Sequence, residues 1–362
     1  MTINSVAAVL LTSAAQSAII ALALLRGSAN PQAGRMLALA LLTIAGMTFG
    51  YVLGWTGRVE VPPEIAFLPI NLPLALGPLL YAYVHALAHG RAPPRMVLHL
   101  VPAGAQLAYL LIALLLPEPM RSSWKETAHD DLMKPLLEAA VVLSLAAYAI
   151  AGLRTLLRYW AWLDANRSDA DRFAARWLAS VLIAILVTLA ILTGMRVYTW
   201  TIGELDSAPL QLWFAALAAW LGVEGWRHAG RRFPAIAPAE PTDKGVIRDW
   251  AAQGEAWRTR TREAGWWREP ALTLSDLARQ LGTNTSYLSR AMNDGLGMNF
   301  NEMINRMRAE EAARMIERGE GDDLLDVAFA VGFSSKTTFN RVFKAVHGAA
   351  PTTYRARLRA RS

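Results

Sequence analysis

The sequence contains no cysteine, which removes disulfide frameworks, thiolate metal sites and cysteine nucleophiles at once. Charge is scarce as well: Asp, Glu, Lys and Arg make up 18% of the chain, against 54% apolar residues. That balance departs from an ordinary soluble domain and points to membrane-embedded mass. No basic stretch precedes the first apolar run, Met1 to Leu25, so a retained span is expected there rather than a cleaved signal. Histidine is sparse, and His85, His89, His99, His129, His228 and His347 form no ligand constellation. His85 and His89 share a helix face at metal-binding spacing, but no glutamate follows His85 and no third ligand offers itself. A phosphate-cradling Gly-rich loop with lysine and a Gly-x-Ser-x-Gly turn are both missing. The expectation is a protein that is not an enzyme, with no cofactor and no metal.

What is present begins with apolar runs. A helix crossing the hydrocarbon layer needs about 20 mostly apolar residues. Runs that meet this fall near 4–25, 36–55, 67–88, 97–116, 136–158, 177–197 and 208–226. The run from Trp177 to Met195 holds no charged residue, whereas 67–88 is interrupted by Pro69, Pro73 and Pro78. Such breaks survive in lipid only where neighbouring helices or water satisfy the freed carbonyls. With the N-terminus outside, the inner segments carry twelve arginines and the outer ones five Lys or Arg. The positive-inside rule favours that topology, and an odd span number leaves the C-terminal region in the cytoplasm. Polar residues inside spans are costly without a partner. Asn71 and Gln106 are the candidate signal-sensing residues, although each also suits a structural bond between helices. Glu138, Arg196 and Glu224 lie in or near span ends, and the last two are expected to reach the interface.

The charge is distributed unevenly. Residues 1–226 carry 14 Lys+Arg and 13 Asp+Glu, and residues 227–362 carry 22 and 16. The basic excess therefore sits in the last third and suits contact with nucleic acid or an anionic surface. Three domains are expected: a transmembrane sensor part over 1–227, a linker over 228–252 that gathers Pro234, Pro238, Pro241 and Gly245, and a cytoplasmic module over 253–362.

Within the module, 272–293 parses into two short helices. Thr273 followed by Asp276 makes a capping pattern, and Leu274, Leu277, Ala278 and Leu281 form one apolar face. Gly282 supplies a helix stop. Asn284 caps a second helix with Leu288, Ala291 and Met292 inward and Thr285, Ser286, Ser289 and Arg290 outward. The pattern recurs over 324–345. Val327-Ala328 answers Leu277-Ala278, Val331-Gly332 answers Leu281-Gly282, and Phe339, Val342 and Phe343 answer Leu288, Ala291 and Met292. Arg341 answers Arg290. Between the copies, Asn299–Arg318 reads as a helix about 30 Å long, close to the roughly 34 Å of one DNA turn. A duplicated two-helix unit with an outward arginine in each second helix points to DNA recognition.

The C-terminal hundred residues resemble the DNA-binding domain of the AraC/XylS family of transcriptional regulators. The resemblance runs through Leu274–Gly282, then Phe300, Arg308 and Ile316, and most specifically through Asp326–Ser335, Phe339–Lys344 and Gly348–Arg355. The Gly77–Tyr81 stretch is similar to membrane-anchored members. The resemblance implies base contacts from Ser286, Ser289 and Arg290 in the first unit, and from Lys336, Thr337, Asn340 and Arg341 in the second. It also implies double-stranded promoter DNA, RNA polymerase and a second copy of the chain as partners. Ser286 is small where some relatives carry a large aromatic, so the first reader is expected to select sequence less strongly.

The expected architecture is all-α: a polytopic transmembrane bundle of about seven spans, then a small helical domain with two helix-turn-helix units. The expected function is a sequence-specific transcription factor in the bacterial inner membrane, surrounded by lipid and answering an unknown membrane or small-molecule signal. The competing reading is a membrane receptor or transporter whose cytoplasmic helical domain binds a protein partner.

Overall fold

The computed structural model describes residues 5–54, 62–174, 177–203, 207–236, 249–321 and 323–360. Every regular element among them is a helix; the one strand-like feature described is an isolated antiparallel bridge between Arg167 and Thr273. The chain divides into two units. One comprises Met1–Leu157 and Arg176–Ile236, the other Arg158–Ala175 and Ala237–Ser362.

The first unit is built from α1 (Ser5–Gly27), α2 (Pro31–Gly54), α3 (Leu76–His89), α4 (Val101–Leu114), the N-terminal part of α5 (Lys134–Asn166), α6 (Trp177–Thr201) and α7 (Ala208–Ala229). Each of the seven expected apolar runs overlaps a helix among the described residues, but the helices are unequal. Among the described residues, four stretches are long and apolar enough to cross a membrane by length and composition: Ser5–Gly27, Pro31–Gly54, Met120–Asn166 and Trp177–Thr199. The proline-interrupted run differs most. A helical turn at Pro63–Ala66 precedes it, and the run itself forms a 3-10 turn at Pro73–Ala75 and only then α3, which has 14 residues. Proline lacks the N–H that a helix interior needs, so the chain restarts where a missing donor costs nothing.

Packing follows side-chain size. Leu10, Leu37, Leu41, Ile44 and Leu221 are buried where α1, α2 and α7 meet. A Cβ on Gly225 would lie 2.2 Å from the Leu37 side chain, and one on Gly46 would lie 2.5 Å from the Ile70 carbonyl oxygen. Small residues at such points let helices approach closely. Outward faces stay apolar: Ile19 is 67% exposed, Ile112 66% and Leu143 71%. The polar residues near span ends are paired. Arg196 meets Glu138 at 3.0 Å, and Glu224 meets Arg227 at 3.0 Å.

The second unit contains α8 (Trp250–Glu263), α9 (Leu274–Leu281), α10 (Thr285–Arg290), α11 (Phe300–Glu317), α12 (Leu324–Ala330), α13 (Lys336–His347) and α14 (Pro351–Arg359), together with one helical turn at Ala170–Phe173. Of the expected linker over 228–252, residues 237–248 lie outside the described residues. Its last residues already belong to α8, because Asp249 caps that helix by accepting from the Ala252 N–H at 2.9 Å. The central strut α11 carries a complete capping box: Asn299 accepts from the Glu302 N–H, and Glu302 accepts from the Asn299 N–H, both at 2.9 Å. Its 18 residues span about 27 Å. Phe300, Ile304, Met307 and Ile316 on α11 gather Leu277, Leu288, Phe339 and Phe343 from the flanking helices into one core.

Candidate nucleic-acid interface

The first two-helix unit assembles as its sequence pattern dictates. Thr273 Oγ1 accepts from the Asp276 N–H at 3.1 Å and donates to the Asp276 carboxylate at 2.5 Å. Leu274, Leu277, Ala278 and Leu281 are buried along one face of α9. Gly282 takes a φ of 70°, a left-handed conformation that L side chains resist, and ends the helix. Asn284 then caps α10 by accepting from the Tyr287 N–H at 2.8 Å. The helix continues as a wider turn over Ala291–Gly295. Ser286, Ser289 and Arg290 share its partly exposed outward side. Arg290 is engaged within the protein: its guanidinium lies 4.7 Å from the centre of the Trp250 ring, and its Nε faces Asp294 at 3.4 Å. Ser289 Oγ accepts from the Asn293 amide at 3.1 Å.

The second unit repeats the plan with a longer outward helix. Asp323 caps α12 through the Leu325 N–H at 2.9 Å. The turn passes so close to the backbone that a Cβ on Gly332 would sit 2.4 Å from the Arg268 carbonyl oxygen, and its φ is 90°. Only glycine satisfies both conditions. Ser335 caps α13, whose 12 residues bury Thr338, Phe339 and Phe343. Lys336, Thr337, Asn340 and Arg341 are exposed together at the N-terminal end of this helix. An ammonium, a hydroxyl, an amide and a guanidinium on one helix face are the groups that contact phosphates and base edges.

Two features escape the sequence pattern. Arg308 on α11 is 1% exposed. It donates through Nε to the Trp267 carbonyl at 2.8 Å and through Nη2 to the Glu269 carbonyl at 2.7 Å and Ser168 Oγ at 3.1 Å. Nη1 donates to the Asn305 side chain at 3.1 Å and the Ser168 carbonyl at 3.4 Å. Burial lowers its pKa to about 10, with Asp169 and Glu269 opposing the shift, so the group stays charged at neutral pH. One signal was available, since Arg308 continues the four-residue row of Phe300 and Ile304. The second feature is the segment Arg158–Ala175, far upstream in the chain, which belongs to this unit. Its Asp171 carboxylate accepts from Arg341 Nη2 at 2.6 Å and from Thr338 Oγ1 at 2.9 Å.

In the first unit, the structure brings the two candidate sensing residues into one bonded segment. Gln106, 5% exposed, accepts from the Leu74 N–H at 3.4 Å and donates to the Asn71 carbonyl at 3.3 Å. Its amide thereby serves backbone groups of the proline-broken stretch, while Asn71 is exposed. His85 and His89 stack with ring centres 4.1 Å apart.

Residues 277–357 match a family model described as a helix-turn-helix domain. The probable transcription factor PqrA of Proteus vulgaris is 30% identical over 88 residues, which are 24% of this chain and 71% of that protein. An uncharacterised helix-turn-helix-type transcriptional regulator of Bacillus subtilis, YisR, is 34% identical over 83 residues, 23% of this chain and 29% of the relative. Another of that description from Staphylococcus aureus strain COL is 33% identical over 84 residues, 23% of this chain and 11% of the relative. The chain thus spans less than a third of the length of these last two. Among solved structures, the C-terminal domain of AraT, a response regulator from Geobacillus stearothermophilus, is similar at 26% identity with a TM-score of 0.26. That likeness covers 29% of this chain and 84% of the other.

Proposed function

The chain belongs to the AraC-type helix-turn-helix family of transcriptional regulators, and from that premise we propose that it is a membrane-anchored transcription factor reading promoter DNA through α10 and α13. The observation that carries this reading is the exposed set Lys336, Thr337, Asn340 and Arg341 at the N-terminal end of a capped helix. Residues at that end of a second helix are the ones that reach base edges in the major groove. Arg341 would supply bidentate contact to guanine, Asn340 an amide for adenine or phosphate, and Lys336 a point charge for phosphate. Ser286, Ser289 and Arg290 are the corresponding set on α10. The strut α11, about 27 Å long against the roughly 34 Å of one DNA turn, packs against helices of both units.

Anchoring in the inner membrane is supported by the four long apolar stretches, of which only 22% to 44% is buried inside the protein. The outward side chains left over, Ile19, Ile112 and Leu143 among them, are apolar and mostly exposed, which suits lipid. The arginine-rich inner segments favour an outside N-terminus and a cytoplasmic DNA reader. Asn71 and Gln106, joined across the proline-broken stretch, are the proposed place where a membrane signal is felt. RNA polymerase and a second copy of the chain are the proposed partners on the promoter.

Membrane vesicles from cells producing the full chain should capture genomic fragments that share a recurrent site. Vesicles carrying Arg341→Ala at equal protein level should retain DNA with that site diluted. Capture of a cytoplasmic protein but no recurrent DNA by the native chain would instead favour a protein-binding receptor.

A further inference from the structure

We propose that the second unit carries a docking surface, formed by Leu272, Asn305, Arg308, Thr338 and Arg341, whose occupant is the chain's own segment Arg158–Ala175, and that this segment holds Arg341 away from DNA until it is displaced. The inference rests on the reading of α13 as a DNA-contacting helix.

The docked segment is built in. Ser168, Asp169 and Ala170 are 2%, 3% and 3% exposed. Burying polar residues in this way is unfavourable without full hydrogen bonding, and the bonding is supplied. The Ser168 N–H and hydroxyl both donate to the Leu272 carbonyl, at 3.1 and 2.9 Å. Its own carbonyl accepts from Asn305 at 3.3 Å and from Arg308 at 3.4 Å. Asp169 is clamped by both arms of Arg167, at 2.7 and 3.1 Å. Asp164 adds a contact with Asn301 at 3.2 Å. On this fixed base the turn Ala170–Phe173 presents Asp171 to α13, where one carboxylate oxygen serves both Thr338 and Arg341.

That contact competes with DNA in two ways. A guanine contact uses two guanidinium N–H groups of Arg341 together, and Asp171 draws one side of that fork towards itself. A carboxylate beside a helix that must approach phosphates also repels them. Lys336, Thr337 and Asn340 stay exposed, so the segment acts on one contact and grades affinity rather than abolishing it. Reversibility follows from exposure: the Arg341 side chain is 57% exposed and that of Asp171 27%, a setting in which ion pairs are weak and displaceable. The partner is specific to this reader. Arg290 is held by its own helix and by α8, whereas the partner of Arg341 lies 170 positions away in sequence. The segment is covalently continuous with α5 and α6, both apolar enough to cross a membrane. A shift in those helices is therefore able to pull Asp171 off Arg341.

The test uses the full chain in nanodiscs of phosphatidylethanolamine and phosphatidylglycerol. It is titrated with a duplex enriched from a randomised pool on the protein itself, and with an unselected duplex. Asp171→Asn should tighten binding of the enriched duplex about fivefold, with the gain lost in the Arg341→Ala background. A second variant carries Asp164→Cys with Asn301→Cys, the only cysteines in the chain, at a contact that pins the segment with Asp171 left in place. It should bind weakly when oxidised and recover on reduction. Unchanged or weaker binding by Asp171→Asn, a gain that survives Arg341→Ala, or equal binding by the oxidised and reduced pair would each overturn the lock. Failure of every protein, native and variant, to prefer the enriched duplex would instead overturn the DNA-reading proposal beneath it.

Discussion

The two helix-turn-helix units start from one residue pattern and finish with different equipment. In the first, the outward helix Thr285–Arg290 has six residues, Ser286 and Ser289 are short, and Arg290 lies against Trp250 and Asp294. In the second, the outward helix has 12 residues and exposes lysine, threonine, asparagine and arginine side by side. The repeat supplies two candidate readers. What each contributes is decided by helix length and by what already occupies its polar side chains.

The widest test of this contrast removes the support common to both readers. Arg308→Met deletes a guanidinium that satisfies the Trp267 and Glu269 carbonyls and the Asn305 and Ser168 side chains. Each buried acceptor left without a donor costs about 1–3 kcal/mol, so the second unit should lose roughly 3 kcal/mol or more. Pulse proteolysis of the full chain in urea should show α9–α13 cleaved at much lower denaturant, with both readers lost together. Retention of native resistance would show that α11 is not the common support.

Next in size is the contrast itself. Arg341→Ala should cost about 1–3 kcal/mol against a selected site and relax selectivity at one base pair. Arg290→Ala should cost less than about 1 kcal/mol, because that guanidinium must leave both the Trp250 ring and Asp294, whereas Arg341 has only its exposed pair with Asp171 to break. Selection from randomised DNA on each variant measures both effects, and a larger loss at Arg290 would reverse the ranking of the readers. The capping box is a smaller lever. Asn299→Ala should lower stability of the second unit by about 1 kcal/mol, read by the same proteolysis, with base preference unchanged. Smallest in free energy is Lys336→Ala, expected to reduce the slope of log affinity against log salt by about 1 with little effect on selectivity.

Much of this contrast was legible in the sequence, and the reasons are local. Thr273, Asn284 and Gly282 signal their caps and stops because capping depends on residues within a turn of one another. The inward rows of α9, α10 and α13 follow helical period, which is why Leu277, Leu288 and Phe343 were recognisable as core. Apolar runs locate α1, α2, α5 and α6 for the same reason. What was hidden depends on distant pairs. Nothing in the order of Ser168, Asp169, Ala170 and Asp171 marks them as partners of Leu272, Arg308 and Arg341, since the pairing spans more than a hundred residues and obeys no period. The paired state of Glu138 with Arg196 was hidden likewise. The third expected span also came out shorter than its apolar length, because prolines set where a helix restarts while hydropathy averages over them.

The central claim is that the chain selects DNA sequence through two unequal readers, and affinity for paired duplexes tests it most directly. The full chain in nanodiscs is titrated with an enriched and an unselected duplex at two salt concentrations, beside Arg290→Ala and Arg341→Ala. The account predicts tighter binding of the enriched duplex, weakening of both complexes with salt, and a gap between duplexes that narrows most in Arg341→Ala. Equal affinity of the native chain for both duplexes, or a gap untouched by either substitution, would contradict it.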